Sequence, residues 1–524
     1  MAYYPMHMHL HSIHQPGGSM EGHIYNAHAL GMKYIRFTEH DTRTGRKEFP
    51  VDSFDFSRGA LSYEDAVHHT VTLEPLGEPT LEFKDCSLVV SHGGVRLRSS
   101  GKRHTASLLS EIEITLGIFG NNAIIDLTLS QRPSDFSEAH LYYAIGDASA
   151  LPQPHSALIR LEPRADGIYH LRVSRDAEPL SEIGGLDNAL ATLSVLTVGG
   201  SVELFKLEIK TEHGFDELIK MQRALAKKIG EKYGVHPFVT TEISGAGRHK
   251  NVYSEAVPII DYEKHGFRVS EEEAIAHVNR HGGIFCYNHP FEKYKRRELS
   301  PAEVDAIAKS EAEAMIKCRA LGATLMEVGF VGGRGRFTLS HHLALWDALS
   351  REGIFITGDG DSDSHHNDRG WYSGNNFATY IYAPDALPHP IAESEFIKAM
   401  RAGNVYAANP TDTLGELNFS ASGAPMGSVV RADADSFKML FSLSAMKRGY
   451  TLRLIKDGRC AEEYTCEGDG ALSLERELVR DGRVSFIRVE IYNGEGVCVL
   501  LTNPIYFVDR SFLGEIPSDR LVDL

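Results

Sequence analysis

The run HMHLHS, His7 to Ser12, alternates polar and apolar positions, so in an extended strand His7, His9 and His11 share one face. EGHIYNAHALGM then carries helical spacing through Ile24, Ala27, His28 and Leu30 to Gly31, and KYIRFTEH reads as a second strand. From about Glu64 to Ile209 the pattern becomes short alternating runs, among them TLEFKDCSLVVSH, EIEITLGIF and NAIIDLTLS, broken by Gly, Pro, Asn and Asp. This predicts an inserted β-sandwich. At about His213 helical and extended segments alternate again. Phe215, Leu218, Ile219, Leu225 and Ile229 share a helical face, and Ser270 with Glu273 and Ser300 with Glu303 form two capping boxes. PFVTTEIS, GIFCYNH, ATLMEVGF and IFITGDGDSDSHH read as the intervening strands, and from about Thr413 onward the alternation is strand-like. The expected architecture is α/β: a discontinuous barrel over residues 1–63 and 211–412, a β-sandwich over 64–210 and a C-terminal β-sandwich over 413–524.

Composition narrows the partners. The 524 residues predict two to four domains at roughly 150 residues each. With 54 basic against 71 acidic residues the formal charge is -17, a field that repels phosphate backbones and argues against nucleic acid. No basic segment leads into an apolar one near Met1, and no run approaches the roughly 18 apolar residues of a membrane span. The expectation is a cytoplasmic protein with no membrane partner. The six cysteines include no CxxC pair, which excludes a zinc ribbon, so a metal here rests on His and carboxylates.

Such residues sit at successive strand ends: His9 and His11, His40 in TEHD, Glu242 in TTEIS, His289 in NHPF, and Asp363 with His365 in SDSH. Neutral imidazole and carboxylate suit Zn, Mn or Fe, and mixed sites of this kind commonly hold more than one ion. In that order, HLHS, TEHD, the isolated Glu, NHPF and SDSH resemble the signature of the PHP (polymerase and histidinol phosphatase) family over about residues 6–50 and 235–410. TNPIYF, Thr502 to Phe507, is similar to the C-terminal β-domain of that family's carbaryl-hydrolase-like branch. The resemblance implies a distorted, TIM-like (βα)7 barrel with two or three divalent ions (Zn, Mn or Fe) that hydrolyses phosphoesters.

Carried over by position, the resemblance makes His9 and His11 one metal pair, extended by His40 and by Glu242 as bridging carboxylate, with His289, Asp363 and His365 completing the coordination. His249 in GRHKN is either a ligand or an acid. Many members have Asp before Gly where this chain has Glu21 in SMEG, which makes Glu21 a ligand of altered geometry. His7 either supports the site or takes no part, and Asp359 and Asp361 read as loop-forming residues. In GGRGRF, Arg334 either grips a substrate phosphate or carboxylate or belongs to a solvent loop.

The expected activity is metal-dependent hydrolysis of a small phosphate ester, with a metal-bridging hydroxide attacking phosphorus and His249 or a metal-bound water protonating the leaving group. The small-molecule partner would be a phosphorylated sugar or another carbohydrate. Two alternatives stay open: hydrolysis of an ester, carbamate or glycoside by the same centre, and a non-catalytic carbohydrate-binding protein.

Overall fold

The computed structural model describes residues 2–12, 20–41, 52–64, 70–100, 107–119, 123–129, 139–146, 156–174, 189–211, 215–256, 260, 269–294, 298–329, 336–365, 377–412 and 414–524. Arg334 lies outside them. The site-bearing elements are β1 (Ala2–Leu10), α1 (Met20–Ala29), β2 (Tyr34–His40), α2 (Phe215–Tyr233), β3 (His236–Ile243), β4 (Lys250–Tyr253), α3 (Glu271–Arg280), β5 (Ile284–Tyr287), α4 (Pro301–Lys317), β6 (Leu325–Glu327), α5 (Leu339–Arg351), β7 (Thr357–Asp359), β8 (Ala378–Ala383), α6 (Glu393–Arg401) and β9 (Val405–Ala408).

These strands pair in the order β7-β6-β5-β4-β3-β2-β1-β8-β9. Pairs β1–β2, β2–β3, β5–β6 and β6–β7 are parallel, whereas β4 runs antiparallel to both β3 and β5, and β8 runs antiparallel to both β1 and β9. The expected α/β (βα)7 barrel is therefore incorrect. Strand outweighs helix, 45% against 21%, and the sheet does not close as a ring of seven parallel strands. From β9 it continues into Cys498–Thr502, Val484–Tyr492, Ile505–Val508, Val429–Arg431 and Leu521–Asp523. The reason lies in the connections. A parallel return needs a crossover of a dozen or more residues, and the short link from Ile243 to Lys250 forces β4 back antiparallel. The antiparallel β8–β9 pair then leaves an edge that a C-terminal strand completes.

The strands between Asp52 and Thr211 form a separate 13-stranded sheet, with Leu73, Val90, Leu116, Ile125 and Val195 in its core. Leu417–Ala421, Ala424–Pro425, Ser436–Met446 and Gly470–Val479 form a four-stranded sheet.

Local chemistry sets the elements that frame the site. The β1 alternation puts Met6 and Met8 into apolar packing while His7 and His9 occupy the other face, all fully buried. Both capping boxes form at the starts of α3 and α4, where Ser270 and Ser300 accept the N–H groups of Glu273 and Glu303. Beyond β7 the chain lies beside the end of β1, with His11 N–H donating to Ser364 O at 3.0 Å and Ser364 N–H to His9 O at 3.3 Å. Gly360 lets the same segment pass close to the start of β8, since a Cβ there would meet Phe377 Cβ at 2.5 Å. No helix among the described residues is long and apolar enough to cross a membrane.

Candidate metal centre

Glu242 is the hub. Parallel pairing of β3 with β2 sets it beside His40, and antiparallel pairing with β4 sets it beside Asn251. Its Oε2 lies 2.6 Å from His40 Nδ1 and 3.7 Å from His11 Nε2. Its Oε1 lies 3.2 Å from His249 Nδ1, 3.3 Å from His9 Nε2 and 3.4 Å from His289 Nε2. Asn288 donates to the same Oε1 at 2.7 Å and is itself held by Asn251 N–H. Asp363 is the second convergence point: its Oδ1 lies 3.0 Å from His11 Nε2, 3.1 Å from His9 Nε2 and 3.5 Å from His365 Nδ1. Both Asp363 and His289 have positive φ, 49° and 26°, conformations that non-glycine residues rarely adopt and that concentrate at functional sites.

The electrostatics fit a bound cation. Burial works against a charged His9, yet the carboxylates of Asp363, Glu327 and Glu242 hold its pKa well above the usual imidazole value. Burial and the neighbouring His40 push His11 the other way. Burial opposes charge on Glu242 too, but His40, His249 and His9 hold it well below the usual carboxylate range. His9 Nε2 and His11 Nε2 stand 3.1 Å apart, and at most one proton can lie between them. Glu242 Oε2 and both oxygens of the fully buried Asp361 accept no hydrogen bond among the described residues. Buried acceptors without donors are costly, and a cation among them removes that cost. Several groups of three donors lie within metal-binding reach: His11, His40 and His365; His40, Glu242 and His249; His9, His11 and Glu242; His9, His289 and Asp363. The mixture of imidazole nitrogen and carboxylate oxygen suits Zn, Mn or Fe.

Of the expected site residues, His9, His11, His40, Glu242, His249, His289, Asp363 and His365 come together here. Glu21 does not join any of these donor groups; its Oε1 accepts from Lys232 Nζ at 2.6 Å and Tyr233 OH at 2.8 Å. Sequence reasoning missed Glu327, whose Oε1 lies 2.6 Å from His9 Nδ1, and treated Asp361 as a loop former although it lies 3.7 Å from the same nitrogen. It also missed Asn288, the donor to Glu242. The signal was present: Asp359, Asp361 and Asp363 alternate with the same period as His7, His9 and His11, and Glu327 ends a strand as Glu242 nearly does. His7 hydrogen-bonds Ser362 Oγ through Nε2.

A cavity of about 260 Å³ opens beside the cluster, lined by Arg248, His249, Asn288, His289 and Lys293 among others. Arg248 and Lys293 both ion-pair with the buried Glu311.

Comparison with known proteins finds no matching family model and no matching curated protein. The class is thus defined by the site itself: a protein with buried His, Glu and Asp groups able to hold metal ions.

Proposed function

We propose that the chain is a metal-dependent hydrolase of a small phosphate ester. The observation that carries this reading is the convergence of His9, His11, His40, His249 and His289 on the one buried carboxylate of Glu242. His9, His289 and Asp363 would hold one ion and His11, His40 and His365 another, with Glu242 beside both. Bound divalent ions supply Lewis acidity toward a phosphoryl oxygen and acidify water.

The chain's own residues supply the rest. His249 is 30% exposed and lines the cavity, so it reaches a bound ester from the solvent side and can donate a proton to the leaving oxygen. Arg248, Lys293 and the adjacent Lys250 share Glu311 and Glu271, which leaves a net positive charge beside the cavity that favours an anionic substrate. The cavity volume suits a small ester. The resemblance of HLHS, TEHD, NHPF and SDSH to the PHP family favours phosphorus as the centre attacked.

The test is turnover by protein loaded separately with Zn, Mn and Fe against aryl and alkyl phosphates, phosphodiesters, acyl esters, carbamates and glycosides. Phosphate release that a chelator abolishes, and that the His9→Ala/His11→Ala double variant lacks, is the expected result. Turnover confined to esters, carbamates or glycosides would move the reading to another bond, and no turnover by fully loaded protein would overturn it.

A further inference from the structure

His9 has two sides. Its Nε2 faces Glu242, His11 and Asp363, while its Nδ1 faces Glu327 at 2.6 Å and Asp361 at 3.7 Å. On the Nδ1 side, donor atoms of His9, Glu327 and Asp361 all lie within 4.8 Å of one another, and none of the three residues is exposed. Asp359, also fully buried and paired in register with Glu327 on the neighbouring strand, adds a third carboxylate. We infer that this chamber is a cation site of its own, held by the carboxylates of Asp361 and Glu327 with Asp359 beside them.

The charge balance demands an occupant. Three buried carboxylates face one imidazole, and that imidazole is committed through Nε2 to the Glu242 side. Glu327 is satisfied by His9 Nδ1 and by the backbone N–H of His289, and Asp359 by the Cys286 thiol at 3.4 Å. Asp361 differs: neither oxygen accepts a hydrogen bond among the described residues. Buried carboxylate oxygens without donors are costly, so a cation or a proton must offset the charge of Asp361. Asp361 has both oxygens free to bind, which favours the cation. Carboxylate-rich donors select a hard divalent ion such as Mn²⁺ or Mg²⁺. Glu327 Oε1, 2.6 Å from His9 Nδ1, is placed to accept a proton from that nitrogen, so no bridging imidazolate is required.

The inference uses the reading of Glu242 as a metal centre only for the role of His9 Nε2, and the two fail separately. Full-length protein is stripped with a chelator, reloaded with Mn²⁺ alone, and its manganese content measured for the wild type, Asp361→Asn and Glu242→Gln. The expected result is loss of one equivalent in Asp361→Asn, with at least one equivalent remaining in Glu242→Gln. Equal manganese in wild type and Asp361→Asn would overturn the inference and show that the acids carry protons. Should Asp361→Asn not fold, anomalous scattering from manganese in wild-type crystals decides. A peak between Asp361 and Glu327 supports the inference, whether or not others appear at Glu242. Peaks at Glu242 alone overturn the inference and leave the main centre standing, and no peak at either place overturns both.

Discussion

His9 Nδ1 lies 2.6 Å from Glu327 Oε1, and the other oxygen of Glu327 accepts the backbone N–H of His289. One buried carboxylate thus fixes two candidate ligands, one on β1 and one just beyond β5. With its proton on Nδ1, His9 presents a lone pair at Nε2 toward Glu242 and Asp363, which is the tautomer a metal ligand needs.

Glu327→Gln should therefore weaken metal binding without unfolding the chain. The amide can donate to His9 Nδ1, which moves the ring proton to Nε2 and blocks that lone pair. The expected loss in Zn²⁺ affinity is about 10- to 100-fold, read by competition with a chromophoric chelator. Unchanged affinity, with His9 still protonated at Nδ1 by nitrogen NMR, would refute the orienting role.

The pair His9 and His11 was the most legible part of the site, because strand alternation alone aligns their side chains, whereas Asp359 and Asp361 read as loop formers. The capping boxes at Ser270 and Ser300 were equally local and form as expected. Glu327 was harder to read, since its importance comes from facing His9 across the sheet, a long-range contact that no spacing encodes. The barrel expectation failed for a related reason. Alternating helix and strand patterns fix element type, but the direction of β4 and β8 depends on connection length and on pairing partners far along the chain. Part of the C-terminal β segment continues the sheet from β9, through pairs such as Tyr406 with Thr502, a connection that no local pattern encodes.

His249 separates acid from ligand. If it delivers the proton to the leaving oxygen, His249→Asn should lower kcat by about 10²-fold or more on alkyl phosphates, far less on nitrophenyl phosphate, and leave metal content unchanged. Loss of an equivalent of metal with equal loss on both substrates would assign it to coordination.

Asn503 ties the C-terminal segment to the strand that carries the acidic run. It accepts Gly358 N–H at 2.7 Å and donates to Gly358 O and Val405 O, each at 2.8 Å, while 1% exposed. Asn503→Ala strands these groups in the interior at a cost of about 3 kcal/mol. Fluorescence-monitored urea unfolding should show it, since Trp346 packs against Gly358. The same variant should bind metal more weakly, because Gly358 lies just ahead of Asp359, Asp361 and Asp363. A change below about 0.5 kcal/mol would mean that these groups find other partners.

A buried ion group between α5 and the strand Val484–Tyr492 predicts a pH effect with a definite sign. Arg488 pairs with Asp347 at 2.9 and 3.2 Å and also with Glu490, so two carboxylates share one guanidinium. Burial, reinforced by the charge of Glu490, raises the Asp347 pKa despite the opposing pull of Arg488. At pH below the ordinary carboxylate value, about 4, Asp347 is protonated in both folded and unfolded chains. As pH rises, the unfolded chain releases that proton first, so the folded state binds more protons and stability falls until pH passes the folded value. Asp347→Asn lacks this titration. Thermal melts of both proteins between about pH 4 and 7 should show the variant gaining on the wild type as pH rises. A gap that stays constant, or that moves in favour of the wild type, would show that Arg488 outweighs burial and keeps Asp347 ionised throughout.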